Sequence, residues 1–106
     1  MKVEYSQSFV KAANKLSGKA LKSVKEMLEN VKKAEKIEDI ANCKKLINYD
    51  RTYRIRIGSL RAFFVLYIIT DGSIVKFEYL KFRGEAYKKE TMEELRKKDT
   101  YQKQQD

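Results

Sequence analysis

YRIRIGSLRAFFVLYIITDGSIVKFEYLKFRGEAY, residues 53–87, is the stretch whose reading decides the fold. Its apolar residues recur with period two, and Gly58-Ser59 and Asp71-Gly72 stand where a three-stranded meander would turn. A two-residue turn at Gly58-Ser59 pairs Ile57 with Leu60, Arg56 with Arg61, Ile55 with Ala62 and Arg54 with Phe63. One face then carries Tyr53, Ile55, Ile57, Ala62, Phe64, Leu66 and Ile68, an apolar set that needs a cover. The other carries Arg54, Arg56 and Arg61. Like charges placed opposite each other weaken a sheet by tenths of a kcal/mol or more, so an anionic ligand would give this pair a purpose. Pairing back from Asp71-Gly72 puts Val75, Phe77 and Tyr79 on the covered face. Glu78, Leu80 and Phe82 go to the open one, with Phe82 opposite Arg61.

Working outward, Val3–Tyr5 reads as a short strand. Ser6 or Ser8 can cap a helix whose apolar stripe is Phe9, Ala12, Ala13 and Leu16 and which ends at Ser17-Gly18. A second helix is expected from Lys19 to Lys36, with Leu21, Val24, Leu28 and Val31 on one face, joined by Met27 and Ala34. The short break makes the two helices antiparallel neighbours, and their stripes would cover the apolar face of the sheet. Ile37–Asp50 reads as a helical turn and connecting loop. Thr91-Met92-Glu93-Glu94 is a capping box opening a short C-terminal helix. The fold class is α+β: two antiparallel N-terminal helices on one face of a mainly antiparallel four-stranded sheet, then a short C-terminal helix. Residues 1–98 form one domain, and 99–106 are expected to be a disordered tail.

Composition narrows the chemistry. The chain has 106 residues, 24 Lys plus Arg against 15 Asp plus Glu, and a net charge of +9, which favours polyanionic partners such as nucleic acid. Lysines spread along helices also serve simply as a solvated face. There is no histidine and one cysteine, Cys43, so Cys/His metal sites, internal disulfides and histidine-assisted nucleophiles are excluded. Neither a metal nor another cofactor is implied. Cys43, among apolar neighbours, reads as a small buried hydrophobe rather than a reactive thiol. No signal peptide or apolar run long enough for a membrane span is present, which points to a cytoplasmic protein with no membrane partner.

The candidate catalytic groups are Arg54, Arg56 and Arg61, with Arg83 and Tyr87 at the end of the neighbouring strand. Arginine binds phosphate bidentately and stays charged. A cluster of them suits a phosphodiester and the added negative charge of its pentacovalent transition state. Proton removal is harder: arginine is a poor base, and Tyr87 would need its pKa, about 10 unperturbed, lowered by the surrounding cations. Lys44, Lys45, Lys81, Phe82, Lys88 and Lys89 are the candidate RNA contacts. The open-face residues Phe63, Tyr67, Leu80 and Phe82 pack under a bound partner, or an aromatic among them near the arginines stacks a nucleobase.

Asn42–Leu46, Tyr53-Arg54-Ile55-Arg56-Ile57-Gly58, Leu60-Arg61 and Arg83-Gly84-Glu85-Ala86-Tyr87, in this order and spacing, resemble the core pattern of the RelE/ParE toxin superfamily. The resemblance implies a bacterial toxin whose RelE-like relatives cleave mRNA in the ribosomal A site. There the RNA 2′-hydroxyl is the nucleophile, and a 2′,3′-cyclic phosphate is left. By that likeness Arg54 and Arg56 take the basic positions of the first meander strand, Arg61 the phosphate-binding arginine, Arg83 the basic position near the end of the last strand, and Tyr87 the terminal aromatic. The histidine found before the final arginine in many relatives is Phe82 here, and the arginine that often follows is Gly84. The implied partners are a cognate antitoxin, the ribosome and mRNA. Two other functions fit the residues: a ParE-like, non-enzymatic inhibitor of DNA gyrase, and a non-toxic basic nucleic-acid-binding module.

Overall fold

The computed structural model describes residues 1–100. The elements run β1 (Lys2–Tyr5), α1 (Gln7–Asn14), α2 (Gly18–Lys33), a 3-10 turn at Ile37–Asp39, β2 (Cys43–Lys45), β3 (Thr52–Ile57), β4 (Leu60–Ile69), β5 (Gly72–Phe82), α3 (Arg83–Ala86) and α4 (Lys89–Thr100). The fold is α+β, with strands in the order β1-β5-β4-β3-β2. Four pairings make this sheet, and only β1 with β5 is parallel. No helix among the described residues is long and apolar enough to cross a membrane.

The expected cover is present. Phe9 of α1 and Val24, Met27 and Val31 of α2 bury against Ile55, Leu60, Ala62, Phe64, Val75, Phe77 and Leu80. Phe9, Phe77 and Phe64 form a ladder with ring centroids 5.1 and 5.5 Å apart, the first pair tilted and the second in the edge-to-face geometry aromatic rings favour. Of the two candidate caps, Ser6 is the one used: its Oγ accepts the Phe9 N–H at 3.0 Å. α2 stops three residues before its expected end, at Lys33, because Asp39 Oδ2 accepts the amides of Glu35 and Lys36, both at 3.3 Å, and holds them in a turn. Ile68, expected on the covered face, is 66% exposed. β3 pairs no further along β4 than Val65, so the end of the β4–β5 hairpin runs past the layer it would have packed in.

Three further features differ from the sequence reading. The sheet has five strands rather than four, because Cys43–Lys45 leaves the loop to pair antiparallel with β3, Lys44 opposite Arg54. The β4–β5 turn lies at Thr70-Asp71, with Ile69 opposite Gly72, and the register shifts between Phe63 and Phe64. That bulge sits at Glu78. β1 ends just beside it, and Ser6 turns the chain into α1 while its hydroxyl donates to the Glu78 carbonyl at 2.6 Å, satisfying a group the bulge removes from the ladder. Beyond the bulge the alternation inverts: Leu80 joins the covered core, Tyr79 opposes Phe63, and Lys81, not Phe82, opposes Arg61.

The third difference concerns the C-terminus. α4 begins at Lys89, ahead of the Thr91 box, with the Met92 amide bonded to the Lys88 carbonyl at 3.0 Å. It continues through Asp99, which is 2% exposed and therefore no part of a disordered tail. The Asp99 carboxylate accepts the Asp50 and Arg51 amides at 2.9 and 2.6 Å and the Thr52 hydroxyl at 2.8 Å. Burial opposes its charge, but these three donors and Arg96 prevail and hold its pKa below the ordinary carboxylate value. α4 thereby closes a second apolar cluster of Tyr49, Phe63, Ala86 and Leu95 on the far face of the sheet. The rest of the expected tail, 101–106, lies outside the described residues.

Candidate nucleic-acid interface

The expected pairing of β3 with β4 holds at every position, from Ile57 opposite Leu60 to Arg54 opposite Phe63. With β2 and the bulge in place, two rows of side chains cross the far face of the sheet. One row is Lys44, Arg54, Phe63 and Tyr79; the next is Arg56, Arg61 and Lys81. Directly opposed residues lie about 5 Å apart, so the second row places three cations side by side. α4 and its cluster cover Phe63 and leave the arginine end of the face open.

Arg61 is only 8% exposed. Its Nη1 donates to the Gly58 and Leu60 carbonyls at 2.8 and 2.9 Å. Two carbonyl dipoles of the β3–β4 turn therefore offset part of the repulsion from Arg56 and fix the guanidinium. Its Nε and Nη2 groups make no hydrogen bond among the described residues. Arg56 is exposed, and its amide bonds to the Asn42 carbonyl at 3.1 Å. The same carbonyl accepts from Arg54 Nη1 at 3.4 Å. Asn42 has φ +59°, a left-handed conformation that asparagine tolerates better than most residues.

Arg83 stands at the start of α3, its amide donating to the Ser59 carbonyl at 2.7 Å. This ties its backbone to the turn that Arg61 also grips, and its side chain is exposed. Tyr87, 50% exposed, meets Phe63 edge-on, with ring centroids 5.7 Å apart and planes at 89°. Phe63 is the cross-strand partner of Arg54, so the tyrosine stands over the first row. Tyr87, Arg54, Lys44 and Lys45 line one open cleft of about 690 Å³, completed by Leu46, Ile47, Tyr49 and Met92.

The other candidate RNA contacts divide. Lys81 lies in the second row, its Nζ 5.7 Å from the Tyr79 ring centre. Phe82 does not: it opposes Leu60 and lines a separate groove with Ala12, Leu16 and Leu80. Lys88 and Lys89 are exposed and paired with Glu85 at 3.0 Å and Glu93 at 4.0 Å. The hydrogen bond to Glu85 raises the Lys88 pKa. Burial pushes the Cys43 thiol up to about 11, against a smaller opposing effect of Arg54, as suits a packed rather than reactive cysteine. Burial likewise raises Tyr79, with Glu94 and Glu78 adding to it, so that phenol stays protonated beside the cations. Leu46, Ile47 and Met92 were not among the expected site residues. Their place in the cleft depends on β2 and on the docking of α4, neither of which leaves a periodic trace.

Comparison with solved structures gives this geometry a context. An arginine-to-alanine double mutant of the E. coli toxin RelE in the free state superposes with a TM-score of 0.65 at 22% identity, covering 94% of this chain and 97% of that one. The chain has the RelE fold. The RelB-RelE antitoxin-toxin complex from Methanococcus jannaschii matches at TM-score 0.62 and 24% identity over 79% of this chain and 94% of that one. The archaeal RelE-RelB complex from Pyrococcus horikoshii OT3 matches at 0.59 and 23%, over 80% and 97%. The chain matches no family model and no curated protein.

Proposed function

We propose that this chain is the toxin of a toxin-antitoxin pair and that it cleaves mRNA on the ribosome, in the cytoplasm, with the arginine face as its active site. The observation that carries the reading is the row Arg56–Arg61–Lys81, next to the Arg54 row over which the half-exposed Tyr87 stands, a cationic face on a RelE fold. In this reaction the 2′-oxygen of a ribose attacks the adjacent phosphorus, the bond from phosphorus to the 5′-oxygen breaks, and a 2′,3′-cyclic phosphate forms. The 2′-hydroxyl gives up its proton and the departing 5′-oxygen takes one, so the fragments end in a cyclic phosphate and a 5′-hydroxyl. Arg61, held by the turn carbonyls, and the exposed Arg56 are placed to neutralise the charge that builds on the phosphoryl oxygens. Fixed donors of this kind contribute about 3–4 kcal/mol each to a barrier. Lys81 and Tyr87 are the candidates for proton transfer; Arg83 is the outlying member of the set. No metal or other cofactor enters this scheme.

The neighbours in complex with RelB support a cognate antitoxin as partner, and a net charge of +9 suits an acidic one. Inducible expression with mapping of mRNA 5′ ends and a parallel gyrase supercoiling assay tests the reading. Growth arrest with cuts at codon-related positions supports it. Arrest with intact mRNA and lost supercoiling would replace it with gyrase inhibition, and absence of arrest would leave a nucleic-acid-binding module.

A further inference from the structure

The two rows of the open face raise the question of how many nucleotides it holds. Arg54 and Arg56 lie on one strand, two residues apart and on one side, which separates their rows by about 7 Å. That is comparable to the distance between neighbouring phosphates of an extended single strand. Each row carries its own cations: Arg56, Arg61 and Lys81 in one, Arg54 with Lys44 directly opposite in the other. In the row of Arg56, the Arg61 guanidinium is clamped by two carbonyls of the β3–β4 turn. The row of Arg54 and Lys44 opens onto the 690 Å³ cleft, whose far side is apolar and includes Ile47, 86% exposed. Among the described residues nothing covers this isoleucine, which stands beside two cations.

We propose that Lys44 and Arg54 form a second phosphate subsite, one nucleotide away from the phosphate held at Arg56, Arg61 and Lys81, and that the base of this second nucleotide enters the cleft against Ile47 and Met92. The occupant is a single RNA strand: charge complementarity selects a polyanion, and an apolar wall beside a phosphate site selects an unpaired base over a duplex, whose bases are already stacked. The inference rests on the nuclease reading for its substrate, but it concerns binding and not chemistry. On this arrangement Arg54 and Lys44 hold and orient the strand while Arg56, Arg61 and Lys81 act on the scissile phosphate.

The test uses the whole chain and trinucleotides carrying 2′-O-methyl groups, which cannot undergo 2′-oxygen attack. One probe has two phosphates; in two others a neutral methylphosphonate replaces one phosphate or the other. Affinities are read by titration calorimetry across a salt series. Both replacements are expected to weaken binding of the unaltered chain at least 5-fold and to lower the salt slope by about 0.7, the share of one phosphate in single-strand binding. In Lys44→Gln/Arg54→Gln one replacement stops mattering while the other still does; in Arg56→Gln the pattern reverses. Ile47→Ala, a change at an exposed position, weakens all three probes equally. Equal affinity for all probes, or a loss in Lys44→Gln/Arg54→Gln that ignores which phosphate is charged, overturns the subsite. Absence of binding to any probe by a chain with unchanged circular dichroism also overturns it. The nuclease reading is judged separately, by mRNA cleavage on ribosomes, and survives either result.

Discussion

Replacing Asp99 by alanine removes one carboxylate that serves three donors at the entry to β3: the Asp50 and Arg51 amides and the Thr52 hydroxyl. Thr52 is fully buried and Asp99 nearly so, so water cannot take over these bonds without opening the contact. A hydrogen bond to a charged acceptor contributes about 1.5–3 kcal/mol. Because the three share one group they do not add fully, and a loss of about 3–4 kcal/mol is expected. For a domain of this size each kcal/mol lowers Tm by about 4–6 °C, so thermal unfolding followed by circular dichroism should show a drop of about 15 °C at pH 7. The sign of the pH dependence follows from the lowered carboxyl pKa. A carboxylate whose folded pKa lies below its unfolded value of about 3.9 contributes fully above that value, and the contribution is lost as pH falls through the folded one. The gap between the native chain and Asp99→Asn should therefore be complete at neutral pH and narrow below about pH 4. A Tm change under about 4 °C for Asp99→Ala, or a gap that does not narrow in acid, refutes the clamp.

Other outcomes follow from the same geometry. Arg56→Ala, at an exposed position, should leave Tm unchanged and lower RNA cleavage by about 10²–10³-fold. Arg61→Ala should lose toxicity as well, yet at a cost of about 1–3 kcal/mol in stability, because the Gly58 and Leu60 carbonyls lose their shared donor; a toxic Arg61→Ala chain would remove this residue from the site. Tyr87→Phe should keep binding and Tyr87→Ala should lose it, while their cleavage rates separate a stacking from a proton-moving role. Cys43, its thiol raised to about 11, should react with a disulfide reagent at pH 8 about 100-fold more slowly in the folded chain than in denaturant.

The arginine face was legible because a hairpin's register follows from its turn, and Gly58-Ser59 is unambiguous: Gly58 takes φ +57°, which suits glycine. Residues 43–45 were not, since three residues with two lysines carry no pattern, and their strand exists only through its pairing with β3. The bulge at Glu78 was equally hidden, although it decides which of Lys81 and Phe82 joins the site. Its cause is a tertiary contact, the Ser6 hydroxyl on the Glu78 carbonyl, made across more than seventy residues of chain. Asp99 misled for the same reason. In sequence it is one more charge in a polar run, and its burial follows from where α4 docks.

The most direct test of the account is the chemistry of the cut ends. Purified chain added to ribosomes stalled with a defined codon in the A site should release an mRNA fragment ending in a 2′,3′-cyclic phosphate and another beginning with a 5′-hydroxyl, both absent with Arg56→Ala. Intact mRNA under those conditions, or ends bearing a 5′-phosphate, would contradict it.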